Sequence, residues 1–182
     1  MPAFRAGAGN SLNRYKLIGI GALLLCVAIP IAPFVAYVNW RNDAYRQKLP
    51  PELEAGDLIF IDGESGFNAG CGVAVFELGA GARARIRARG IRALDSAVPA
   101  AANDPRDRRD LHWQQTPYVD TGDGLTLADR WQVGLSCADM PRELNLAIDR
   151  ALRQPGSYFM RLRESAILVI PSAGMVAFVY YG

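Results

Sequence analysis

The longest pattern in the chain has no polar face at all. From Leu17 to Val38 no charged side chain interrupts the apolar residues, and Lys16 and Arg41 bracket the run. A helix of that length spans about 33 Å, close to the roughly 30 Å of a bilayer's hydrocarbon core. A helix packed in a soluble core keeps a polar stripe, and Leu23, Leu24, Leu25, Val27, Phe34 and Val35 leave none. A cleaved signal peptide has a shorter apolar region ending in small residues, whereas here Pro33 follows Ala32. A lipoprotein signal wants a small residue before its cysteine, and Cys26 follows Leu25. The pattern therefore predicts a transmembrane helix over 17–38, with Pro30 and Pro33 bending its second half. Arg14 and Lys16 abut the helix, and the tail of residues 1–16 carries no acid, which favours a cytoplasmic N-terminus. Arg41, Arg46 and Lys48 on the other side match the basic count, so placement rather than number sets the direction. Tyr15 at one end and Tyr37 with Trp40 at the other suit interfacial belts.

Beyond the span, residues 39–55 read as a polar juxtamembrane linker, a short helical continuation stopped by Pro50 and Pro51. Residues 56–182 read as one α+β domain. Asp57–Ile61 and Val73–Phe76 are β-rich runs separated by a loop holding Gly63, Gly66, Gly70 and Gly72. Ala80–Arg89 is predicted helical: Ala82 and Ile86 share a face, Gly90 stands at the C-cap position, and Ile91 follows as the apolar residue such caps pack. Pro99–Asp110 has nothing to bury and reads as an exposed loop, followed by a short helix over Leu127–Val133. Leu144, Ile148 and Leu152 recur at spacing four behind Pro141, with Pro155 and Gly156 ending that helix; they read as core positions. Tyr158–Arg163, Ile167–Ile170 and Met175–Tyr181 then predict a C-terminal antiparallel meander.

Charge and cysteine usage add a compartment. Residues 49–182 hold 14 Arg and 17 Asp+Glu, a net charge of −3 that argues against nucleic-acid binding. Lysine is confined to Lys16 and Lys48, and together with the abundance of Ala and Gly this suggests a GC-rich bacterial genome. With Cys26 inside the span, Cys71 and Cys137 form an even pair, predicting a disulfide on the oxidising side of the membrane. The alternative is two buried free thiols. The combined expectation is a single-pass protein of the bacterial inner membrane with a periplasmic domain.

The candidate chemistry is sparse. Cys71, between Gly70 and Gly72, paired with the sole histidine, His112, would make a nucleophile and its base. Gly56–Phe60 (GDLIF) resembles the strand opening of NlpC-type and permuted-papain cysteine peptidases and amidases. That resemblance covers five residues and implies a histidine in the following β-rich run, a position that Gly72–Phe76 leaves without one. A turn followed by a buried strand, with Cys71 structural, accounts for the same residues. No CxxC or HxxxH spacing supports zinc, and no cofactor is expected. Asp120, Asp123 and Asp129 depart from the calcium-loop pattern, with Gly122 at a ligand position and Trp131 where the bidentate acid belongs. Arg83, Arg85, Arg87, Arg89 and Arg92 form the densest basic row, open to an acidic partner or lipid headgroups, or else paired with surface acids.

These readings converge on a domain that works by binding, as an envelope accessory or immunity-type module, with lipid along 17–38 and a protein as partners. The enzyme alternative is an anchored thiol hydrolase or amidase using Cys71 and His112. A third class is a structural subunit packing its span on other helices, for which Gly19 and Gly21 lack small-xxx-small spacing.

Overall fold

A computed structural model of the chain describes residues 31–65, 70–99, 111–117, 131–132, 134–162 and 164–181. It divides into two units, Met1–Asn42 and Asp43–Gly182. In the first, only 31–42 are described; they are helical and belong to helix α1, residues 31–46. Among the described residues no helix is long and apolar enough to cross a membrane. The expected span has residues 17–30 outside the described part, leaving 31–38 in view. Ile31, Phe34, Val35, Tyr37 and Trp40 all lie exposed on this helix, and the Tyr37 and Trp40 rings sit 6.1 Å apart.

The second unit is an α+β domain built on one six-stranded antiparallel sheet. Its strands are β1 (Leu58–Ser65), β2 (Gly70–Glu77), β3 (Gln114–Gln115), β4 (Tyr158–Arg161), β5 (Ser165–Ile170) and β6 (Met175–Tyr181), in the spatial order β1-β2-β6-β5-β4-β3. The predicted meander is present as β4-β5-β6, and β2 joins it by pairing with β6. Short turns suffice within the meander because consecutive antiparallel strands need only a reversal.

Both faces of the sheet are covered, and β5 shows why. Ile167 and Val169 point into one core, while Ala166, Leu168 and Ile170 point into the other. Strict alternation therefore sends every second residue to a different apolar layer, and the strand reads as continuous hydrophobicity. Helix α2 (Ala80–Arg89) covers the first face through Ala82 and Ile86, joined there by Leu94, Leu53 and Leu49. Helix α3 (Arg142–Arg153) covers the second through Ile148, Ala151 and Leu152, beside the fully buried Trp131 and Leu135.

Both predicted helices follow from local signals. Helix α2 ends at Gly90, whose φ of 60° suits a residue without Cβ; its N–H donates to Ile86 O, and Ile91 packs onto the core. Helix α3 begins after Pro141, and its last turn carries Arg150 and Arg153 at the end where cations are favoured.

Three expectations change. Leu49 and Leu53, placed in a linker, are 4% and 0% exposed, so this segment supplies core rather than a tether. The glycine loop after Ile61 is shorter than predicted, because β1 runs on to Ser65 and β2 starts at Gly70. Gly63 and Gly72 face each other across that hairpin. Tyr180 on β6 pairs with Gly72 on β2, and a Cβ on either glycine would come within 3 Å of its hydroxyl, so the ring takes the space their side chains lack. Third, the stretch between the predicted loop and the predicted Leu127–Val133 helix, assigned no element from the sequence, contributes the two-residue strand β3. It is held by Thr116, whose N–H donates to Ser157 O at 3.0 Å and whose hydroxyl donates to Gln154 O at 2.6 Å. Of the weak helix at Leu127–Val133, only 131–132 are described, and they are helical; 127–130 and 133 lie outside the described residues, as do 100–110 of the predicted loop.

Candidate functional site

The hairpin β1–β2 begins with the motif GDLIF, which forms its first arm. Gly56 N–H donates to Glu77 O, and Glu77 N–H returns a bond to Asp57 O, both at 2.9 Å. The register slips between Leu58 and Phe60, placing an irregularity at Ile59, which is 44% exposed. Farther along, Glu64 stands opposite Cys71 and Asp62 opposite Val73. The segment that leads into α3 lies against this end of the hairpin. Cys137 is disulfide-bonded to Cys71 across 66 residues of chain, with Cα atoms 5.8 Å apart, and Asp139 N–H donates to Asp62 Oδ2 at 2.7 Å. One covalent and one charge-assisted bond thus fix the same crossing.

Strand β1 is also an edge of the sheet: among the described residues its partner is β2 alone. Among the described residues its outer backbone meets no other strand. Asp57, Asp62 and Glu64 are exposed along it. The stretch 49–82 contains six acids, Glu52, Glu54, Asp57, Asp62, Glu64 and Glu77, and no basic residue, although the whole chain is net positive. That one-signed window was legible in the sequence as charge; its position on a sheet edge was not.

The thiol pair expected of a hydrolase is not assembled. Cys71 is bonded to Cys137 and so offers no thiolate. His112 lies two residues before β3, four strand steps from β2, which is roughly 19 Å at about 4.8 Å per step. Its ring is exposed, with Nε2 2.7 Å from the Gln114 amide nitrogen. Neighbouring Trp113 turns inward and donates from Nε1 to Ala97 O at 2.8 Å, so the pair anchors β3 to the segment after α2.

The arginine row divides by partner. Arg83 donates from Nε to Pro171 O at 2.9 Å and from Nη2 to Ser172 O at 3.0 Å, tying α2 to the β5–β6 turn, and Arg87 reaches Pro171 O at 3.4 Å. Arg85 pairs with Glu54 Oε1 and with Glu52 O, each at 2.7 Å. Only Arg89 and Arg92 are exposed without a described partner. Three members of the basic row are thus engaged with carbonyls or a carboxylate of neighbouring segments.

Glu54 is a residue that sequence reading overlooked. It sits in a left-handed conformation (φ 50°) after the 3-10 turn Pro51–Leu53. Its Oε2 accepts the Ala82 N–H at 3.2 Å, supplying the capping oxygen that Gly79 at the start of α2 lacks. The Arg85 hydrogen bond holds the Glu54 carboxyl below its ordinary value; the Ala82 N–H reinforces this and desolvation opposes it.

A second aromatic group lies where the chain joins the domain. The Tyr45 ring is 5.9 Å from Tyr180 and 6.2 Å from Phe178, while Arg46 lies 5.7 Å from the centre of the Phe76 ring and Lys48 the same distance from Phe178. These basic side chains are laid over aromatic faces of the domain. Asp120, Asp123 and Asp129 lie outside the described residues. No protein-family model, characterised protein or solved structure matches this chain.

Proposed function

We propose that the chain is a membrane-anchored binding module. Residues 17–38 embed in the bacterial inner membrane, the domain from Asp43 onward occupies the periplasm, and it acts by presenting a surface to a protein partner, as an envelope accessory or immunity-type protein does. The observation that carries this reading is the outer surface of α1: Phe34 and Trp40 are each 67% exposed and Tyr37 55%, on a helix whose sequence runs back into an unbroken apolar segment. Large apolar side chains left in water forfeit about 1.5–3 kcal/mol each, and lipid removes that cost. The Cys71–Cys137 bond supports the oxidising side of the membrane. The separation of His112 from Cys71 removes support from the hydrolase alternative.

Membrane fractionation with alkaline extraction, combined with thiol alkylation in intact cells, tests both halves. Retention in the membrane pellet, with Cys71 and Cys137 protected from maleimide until reductant is added, is the expected result. A freely soluble protein, or two thiols alkylated without reductant, overturns the anchor or the compartment respectively.

A further inference from the structure

We infer that the outer edge of β1 is a strand-addition site for an extended peptide carrying basic residues at alternate positions. This deepens the reading of the domain as a binding module by naming the surface and the chemistry of the partner. Three independent properties of β1 meet there. Among the described residues its backbone has a strand neighbour on one side only, and past Gly56 O, which accepts from Arg46 Nη2, the other side offers main-chain donors and acceptors. Ile59, 44% exposed, places a large apolar side chain at the start of that edge. Asp62 and Glu64 on this strand, with Asp57 just before it, are exposed within a window, 49–82, that contains no basic residue. Glu54 is excluded from this count because Arg85 already pairs with it.

Charge selects the occupant. A second copy of β1 would bring its own Asp57, Asp62 and Glu64 against these, and like charges on facing strands repel. A partner strand with Lys or Arg at alternating positions places its cations beside the carboxylates, and the small residues between them meet Ile59. The edge is also held in shape: the Cys71–Cys137 bond and the Asp62–Asp139 bond fix the far end of the hairpin, so little order remains to be imposed when a strand docks.

Backbone amide exchange of the full chain, oxidised and in detergent micelles, reads this directly. The probes are a synthetic peptide of alternating Lys and Val, its Glu and Val counterpart, and an N-methylated Lys and Val version that cannot donate to a strand edge. The Lys peptide should slow exchange across Leu58–Ser65 by about tenfold or more, as expected when fraying amides gain a partner. The Glu peptide and the N-methylated peptide should leave those amides unchanged. In the double variant Asp57→Lys, Glu64→Lys, which spares the Asp62 bond, the preference should reverse toward the Glu peptide. Absence of protection in the unaltered chain at saturating Lys peptide overturns the inference, as does equal protection by the N-methylated peptide. Protection confined to another surface removes the β1 edge while leaving the binding-module reading intact. A cytosolic location would remove that reading's compartment without touching this measurement.

Discussion

Glu54 caps a helix to which it does not belong: its carboxylate accepts the N–H of Ala82 on the first turn of α2, 28 residues farther along the chain. The same carboxylate holds Arg85, so one side chain joins the segment before β1 to the helix after β2. Replacing Glu54 by Ala should lower the thermal midpoint by several degrees, and Gln, which keeps an acceptor oxygen, by less. Calorimetry of the two variants side by side checks the order.

The same contact predicts a dependence on acid. The folded carboxyl titrates below its ordinary value, so the unfolded chain takes up the proton first. The contribution of Glu54 to stability is therefore complete at neutral pH, begins to fade as pH drops through the ordinary carboxylate value of the unfolded chain, and is gone once the folded group is protonated. Denaturant melts from pH 7 to pH 3 should show this loss in the parent protein and a shallower slope in Glu54→Gln.

Much of this architecture is legible in the sequence, and the parts that are not share a cause. Helix α2 is readable because Gly90 and Ile91 mark its end locally, and α3 because Leu144, Ile148 and Leu152 carry a period of four. The meander is readable from β-rich runs spaced by turn residues. Glu54 as a cap, Tyr180 over two glycines, and Leu49 and Leu53 in the core are contacts between segments far apart in sequence, and no local pattern encodes them. The arginine row shows the reverse problem: alternation is visible, but the carbonyls of Pro171 and Ser172 that claim Arg83 come from the opposite end of the domain.

Removing the disulfide should be costly. In the chain-entropy account, closing a loop of this length is worth about 4 kcal/mol. Cys71→Ser with Cys137→Ser should lower the urea midpoint by that equivalent and abolish the effect of reductant seen with the parent protein. A double variant as stable as the parent would show that Asp62 and Asp139 suffice to hold the crossing.

The glycine pair under Tyr180 should resist enlargement. A Cβ at Gly72 would lie 2.7 Å from both Asp62 O and the Tyr180 hydroxyl. Gly72→Val is expected to cost about 1–3 kcal/mol, as overpacking does. Tyr180→Phe should recover only part of it, because the clash with the Asp62 carbonyl remains; equilibrium unfolding of both variants measures the difference.

The arginines should separate by function when removed singly. Arg83→Ala should cost about 1 kcal/mol through the lost bonds to the β5–β6 turn. Arg89→Ala should stay within about 0.5 kcal/mol, as surface changes usually do. Equal losses would mean that the row acts as a unit.

The contact of the Tyr45 ring with Tyr180 also has a practical reach. The polypeptide arrives at the domain and approaches its last strand residue at one and the same corner, since these two rings lie 5.9 Å apart. Cargo appended behind the final strand thus starts from the corner that holds Tyr45, whereas the reversal at Pro171–Gly174, clamped by Arg83, offers a second insertion point removed from that corner.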